Sequence, residues 1–295
     1  MPSALRLDGI RRSFGRKEVL RGVTATAETG KVIGLLGRNG EGKSTLFKIL
    51  LDLLEPDAGT VEVLGERPDG SGRLRRRIGY VPEKPVFHDF LNAGEVLDWR
   101  ARFFPDWDDA RARGLMASLK LDPATRVRGA SKGQLAKLAW VCATAHDPDL
   151  LLLDEPTSGL DALVREEVLD GLIGELHAGG KTILIANHRM EELGGILDEV
   201  WVLSGGVLSA VVELERLRAE ACLVTARLHD WSARPDVPGA VPVPSERPLA
   251  AWAAFSREAA DRLAASGGLE VVERRPLALP EALKYLLEDT GGYDA

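Results

Sequence analysis

The chain has 295 residues, 45% of them hydrophobic and 28% charged, with a net charge of −7, which fits a folded globular protein with a large core and excludes a disordered or nucleic-acid-coating one. Its two cysteines, Cys142 and Cys222, lie far apart without paired-ligand spacing, so the sequence supports neither a disulfide framework nor a zinc knuckle and suits reducing conditions. Residues 1–9 lack the apolar run of a signal peptide, and the richest apolar run, 150–153, is too short to cross a bilayer, so any membrane role is expected to come from a partner.

Up to about residue 30, short alternating segments around Leu5-Arg6-Leu7, Val19-Leu20 and Val23-Thr24-Ala25, broken by Gly9, Gly15 and Gly22, predict antiparallel strands. Val32-Ile33-Gly34-Leu35-Leu36 predicts a strand buried on both faces, followed by a glycine-rich turn and a helix over 44–54. Residues 55–59 carry turn chemistry, and 60–64 resume a strand. From about 87 to 148, Val96, Trp99, Phe103, Leu115, Leu119 and Leu121 recur at helical spacing with no convincing strand, which predicts an inserted helical subdomain.

Strand character returns at 150–153 and 182–186, then at 200–203, where Ser204-Gly205-Gly206 leads into Val207-Leu208 as a hairpin. The alternation of strands and helices implies an α/β fold with a mainly parallel sheet. Beyond about 217, prolines at 235, 238, 242, 244 and 248 predict a loop. A helix over 257–265, a strand over 269–273 and a short proline-led helix over 280–287 then predict a small α+β appendage. There is no internal repeat.

Gly37-Arg38-Asn39-Gly40-Glu41-Gly42-Lys43-Ser44 satisfies G-x-x-x-x-G-K-[ST] between a buried strand and a helix, the setting that a phosphate-binding loop requires. Its glycines let backbone amides converge on phosphates at a helix N-terminus, where the dipole also favours anions. Lys43 is expected to reach the β- and γ-phosphates and Ser44 to offer its hydroxyl to Mg²⁺. Farther on, residues 150–153 deliver Asp154 and Glu155 at the C-terminal end of a buried strand, where ligands bind in parallel sheets.

Asp154 is the candidate Mg²⁺ holder, through water, and Glu155 the candidate acceptor that polarises an attacking water; read alone, the pair is equally a solvated loop start. Ser131-Lys132-Gly133-Gln134 begins an amphipathic helix with Leu135, Leu138, Ala139 and Cys142 on one face, and by itself fits ordinary packing better than a site.

In their order and spacing, the residues 37–45 that end at Thr45, the Ser131-Lys132-Gly133-Gln134 segment, the run from 150 into Pro156-Thr157-Ser158-Gly159-Leu160-Asp161, and His188 after a strand closely resemble the ATP-binding-cassette ATPases, over roughly residues 4–213. The resemblance implies a P-loop NTPase fold with an antiparallel β subdomain. The chain would divide into a nucleotide-binding domain at 1–215, with the helical subdomain at about 87–148, and a C-terminal appendage at 216–295. It also implies ATP as substrate and a head-to-tail sandwich with a second copy or a similar cassette. There Ser131, Gly133 and Gln134 would bind the γ-phosphate held by the other copy's loop.

Asp161 would couple the two sites, His188 would contact the γ-phosphate, and Phe14 falls where the family stacks an aromatic on adenine, although it reads equally as core. The implied setting is a cytoplasmic subunit, peripheral on the inner face of the membrane, that hydrolyses ATP to drive a separate integral permease, with no nucleic-acid partner. The segment Phe104-Pro105-Asp106-Trp107, the signature and Glu83 are most similar to bacterial exporter-type cassettes that pair with separately encoded permeases. Rival readings are a soluble cassette with a non-membrane partner and a regulatory module that hydrolyses ATP weakly.

Two departures stand out: Lys132 replaces the first glycine of the family's signature, and Glu83 stands where the family commonly has glutamine, keeping an oxygen for Mg²⁺. The basic run Arg73, Arg75, Arg76 and Arg77 reads first as solvated surface. Trp99, Phe103, Phe104 and Trp107 divide evenly between subdomain core and a socket for a permease helix. His88, His146, His177 and His229 show no metal-ligand spacing.

Overall fold

The computed structural model describes residues 2–177, 179–187, 195–231, 234–245 and 247–288. Strands β1 (Ser3–Phe14) and β2 (Lys17–Glu28) form a long antiparallel pair, and β4 (Ala58–Val63) joins the other edge of β1. Gly15 makes the turn, but Gly9 and Gly22 do not break the strands as expected. They sit inside them at φ +62° and +119°, where the register slips, because glycine takes the left-handed angles of a bulge at little cost. Gly59 crosses Gly9 so closely that a Cβ there would overlap the Gly9 carbonyl.

The central sheet has the order β5-β6-β7-β3-β8-β9, built from β5 (Ile78–Val81), β6 (Leu150–Asp154), β7 (Thr182–Ala186), β3 (Val32–Leu36), β8 (Glu199–Ser204) and β9 (Val207–Glu213). All neighbours are parallel except β8 and β9, a hairpin turned by Gly205 and Gly206 at φ +54° and +80°. The runs in β3, β6 and β7 are continuous because both faces are covered. Ile33, Leu35, Leu150, Leu152 and Leu184 meet the antiparallel sheet and α1 (Lys43–Leu50), while Val32, Leu36, Leu151, Leu153 and Ile185 join the cluster of the helical layer. The helix expected through residue 54 stops at Leu50, since Asp52 turns left-handed at φ +56°. β5 was not legible as a strand: it has four residues, and one of them, Gly79, is required because a Cβ would collide with the Ala143 carbonyl of the overlying helix.

That helix is α4 (Lys132–Thr144), which with α2 (Ala93–Ala101) and α3 (Asp109–Ser118) forms the inserted helical region. The longer α5 (Ala162–His177) follows β6. After α6 (Leu214–Glu220), the tail builds a second antiparallel sheet, β11-β12-β10-β13, from β10 (Cys222–Leu228), β11 (Ala240–Val243), β12 (Leu249–Ala254) and β13 (Leu269–Pro276). The proline-rich stretch read as loop contains β11, and Pro242 is accommodated because β11 is an edge strand. α7 (Arg257–Ala265) packs Ala259, Ala260 and Leu263 against Val224, Ala226 and Trp252. The opposite face, through Val241, Val243 and Ala251, joins a cluster shared with α6, α8 (Leu279–Glu288), Val200 and Val202.

Candidate nucleotide site

The loop from β3 to α1 is shaped by close contacts at its glycines. A Cβ on Gly37 would lie 2.7 Å from the Leu203 carbonyl oxygen, and one on Gly42, the N-cap of α1 at φ +108°, would lie 2.7 Å from Leu20 Cδ2. No side chain caps α1, so its first amides are left to an external acceptor. Lys43, only 6% exposed, folds back over the loop: its Nζ donates to the carbonyls of Gly37 at 2.7 Å and Arg38 at 3.3 Å, and lies 3.5 Å from Glu155 Oε1. An ammonium held this way is already desolvated and can exchange carbonyl oxygens for phosphate oxygens of the same polarity.

Asp154 and Glu155 leave the end of β6 buried beside this loop. Glu155 is turned by a left-handed backbone, φ +49°, and anchored by its own amide donating to Ala186 at 2.8 Å. Burial pushes the Asp154 carboxyl above its ordinary value; a hydrogen bond with Ser44 opposes this, and nearby Glu155 adds to the rise. Two adjacent buried carboxylates, the first hydrogen-bonded to the Ser44 hydroxyl, make an oxygen-only donor set that fits a hard divalent cation, with the Lys43 ammonium 3.5 Å from the second.

A single cavity of about 440 Å³ is lined by Phe14, Asn39, Gly40, Gly42, Lys43, Ser44, Thr45, Glu83, Asp154 and Glu155. Ten of the residues singled out in the sequence thus converge although 141 positions separate Phe14 from Glu155 (155 − 14). Arg38 is exposed and Glu41 half-buried on the same loop. Phe14 is 49% exposed rather than core. Glu83 is exposed, 3.7 Å from Lys84.

Ser131, Gly133 and Gln134 line a different place. Ser131 caps α4 reciprocally: the Gln134 amide donates to Ser131 Oγ at 3.2 Å, and the Ser131 amide donates to Gln134 Oε1 at 2.9 Å. Gly133 lies against α5, where a Cβ would come within 3.0 Å of Val164. Both departures from the family pattern, Lys132 and Glu83, line one further cavity of about 290 Å³ with Ser158 and Gly159. Asp161 Oδ1 accepts from the Val164 amide at 2.9 Å, at the start of α5. His188 lies outside the described residues.

The basic run is largely engaged with carboxylates and carbonyls: Arg73 and Arg77 contact Glu66, Arg77 also contacts Asp149, and Arg75 donates to the Asp52 carbonyl. The aromatic group divides. Phe104 lies 4.1 Å from the buried His146 ring and Trp107 packs on the core cluster, whereas Trp99 and Phe103 are 44% and 53% exposed. These two and Phe104, with Val86, Phe87 and Leu53, line an open groove of about 560 Å³ between the helical layer and the end of α1. The sequence reading missed Val19 in the nucleotide cavity, and missed Tyr80, whose ring meets Phe47 edge-on and whose hydroxyl is pushed up by burial and by Asp154 and Glu83. A tyrosine or valine in an alternating strand carries no signal that sets it apart from core. Among the described residues no helix is long and apolar enough to cross a membrane.

The ABC transporter family profile matches residues 20–158. Over 73% of this chain and 74% of its own length, the ABC transporter ATP-binding protein YtrB of Bacillus subtilis is 31% identical. The Nod factor export ATP-binding protein I of Ralstonia nicotianae is 35% identical over 67% of this chain and 64% of its own length. A solved structure of an ATP binding subunit of an ABC transporter superposes on 73% of the chain with a TM-score of 0.66 at 28% identity. With the glycine-rich loop and paired carboxylates brought into one cavity on a fold shared with these proteins, the chain belongs to the ABC transporter family as one of its ATP-binding, ATP-hydrolysing subunits.

Proposed function

We propose that this subunit hydrolyses Mg·ATP in a site shared between two cassettes and passes the resulting movement to a membrane permease, in the direction of export. The observation that carries the reading is the single cavity holding the P-loop and both buried carboxylates, with the signature residues 131, 133 and 134 outside it. A complete site on one copy would need those residues at the same phosphate, and a second copy supplies them head to tail. In this reading residues 37–45 cradle the phosphates, Lys43 exchanges the Gly37 and Arg38 carbonyls for phosphate oxygens, and Phe14 stacks on the base.

Ser44 and Asp154 would hold Mg²⁺, with Glu83 from the lining of the same cavity, and the ion would neutralise charge on the phosphates. Glu155, 3.5 Å from Lys43, accepts the proton of the attacking water. Asp161 links the two sites, and His188 contacts the γ-phosphate. ATP closes the sandwich and hydrolysis reopens it, because the nucleotide binds the closed state more tightly.

The aromatic groove beside Trp99 and Phe103 supports docking of a permease segment on the cytoplasmic face of the membrane, since exposed aromatic anchors dominate such contacts. Export rests on the relatives named for Nod factor export. Gel filtration of Glu155→Gln with and without Mg·ATP tests the shared site: a nucleotide-dependent dimer is expected, and a persistent monomer overturns it. Lys43→Ala is expected to abolish the protection against heat that Mg·ATP gives the wild-type protein. Equal protection in both proteins would refute the P-loop reading.

A further inference from the structure

Phe14 closes β1 at the mouth of the nucleotide cavity, and one face of its ring is already covered. The Arg12 guanidinium carbon sits 5.2 Å from the ring centroid. A planar base stacking on Phe14 therefore has the face that Arg12 does not cover.

Arg12 is itself fixed in place. Its Nη1 donates to Asp57 Oδ1 at 2.7 Å and to the Glu55 carbonyl at 3.0 Å. The other Asp57 oxygen accepts from the Ser13 amide at 2.7 Å, and the Asp57 amide donates to the Arg11 carbonyl at 2.8 Å. Residues 11–13 and the turn at 55–57 are thereby clamped together directly before Phe14. Arg12 does not line the cavity, and its charge is directed to Asp57 rather than toward the P-loop.

We infer that Arg12 is a positioning residue for the nucleotide base: it holds the half-exposed Phe14 ring in its stacking orientation and draws electron density toward its own face, favouring an electron-rich purine on the other. The inference rests on the proposed role of Phe14. Physically, a cation over an aromatic ring at a partly exposed site adds attraction, and a ring ordered in advance loses less entropy when the base arrives.

The test compares Mg·ATP with magnesium tripolyphosphate, which has the phosphates and lacks the base, binding each to purified full-length protein by calorimetry. Arg12→Met, which keeps the stem and removes the charge, is expected to weaken ATP about threefold to fivefold and leave tripolyphosphate unchanged. Arg12→Lys is expected to recover part of the loss, and melting temperatures of all variants check folding. Equal losses for both ligands, or no loss for ATP, overturn the inference. Phe14→Ala separates the two levels: if it leaves the ratio of the two affinities unchanged, the base-stacking reading of Phe14 falls, whereas a selective loss for Phe14→Ala with none for Arg12→Met sinks only the role of Arg12.

Discussion

Mild acid should destabilise this subunit through one histidine. His146 is 3% exposed just after α4; its Nε2 lies 3.3 Å from the Ile78 carbonyl, the Phe104 ring lies tilted against it at 4.1 Å, and its Nδ1 has no hydrogen-bond partner. Burial lowers its pKa from the ordinary 6.5 to about 4; the Ile78 carbonyl and Asp147 oppose the shift, and Arg100 and Lys181 add to it. Because the folded value lies below the unfolded one, the unfolded chain takes up the proton first as pH falls. The stability tied to neutral His146 is thus complete above pH 6.5 and is lost progressively down to about pH 4. The whole shift is worth on the order of 3 kcal/mol, of which about 2 kcal/mol is gone by about pH 5. His146→Gln keeps an N–H donor for Ile78 and does not titrate. Urea unfolding followed by tryptophan fluorescence at about pH 7.5 and about pH 5 should show the wild type losing about 2 kcal/mol more than the variant. Parallel losses in the two proteins would refute the reasoning.

Steady-state phosphate release by Glu155→Gln is expected to drop on the order of 100-fold or more relative to wild type, and comparable rates would remove Glu155 from the proton-accepting role. Gly37→Ala should destabilise the protein by about 1–3 kcal/mol in chemical unfolding, since its Cβ meets the fixed Leu203 carbonyl; a melting temperature equal to wild type would show the loop to be more yielding than its contacts imply. Because Lys132 and Glu83 line one cavity, Lys132→Gln is expected to change the ATPase rate less in a Glu83→Gln background than alone, with additive effects as the contrary result. Trp99→Ala is expected to reduce the integral membrane protein that copurifies from detergent extracts while leaving protection by Mg·ATP intact, and undiminished copurification would move the docking site elsewhere.

Much of the lining of the cavity beside α1 was legible because a glycine-rich turn between a buried strand and a helix is a local pattern. Gly37, Gly42 and Lys43 are close neighbours whose spacing and flanks set the turn, and the apolar run of β6 announces its own burial before Asp154 and Glu155. The helical region and the Gly205-Gly206 hairpin were readable for the same reason, being set by periodicity and turn angles over a few residues.

Where meaning depends on neighbours distant in the chain, the sequence is silent. Gly9 and Gly22 looked like breaks and proved to be bulges inside paired strands, β5 became a strand through its partner β6, and Pro242 fitted a sheet edge that no local pattern reveals. Tertiary structure alone decided that Phe14 is exposed with Arg12 upon it, that Lys132 and Glu83 share a cavity, and that Trp99, Phe103 and Phe104 line a groove while Trp107 packs on the core cluster. Periodicity reports which face of an element is apolar; which element covers that face follows only from the close packing of the whole chain.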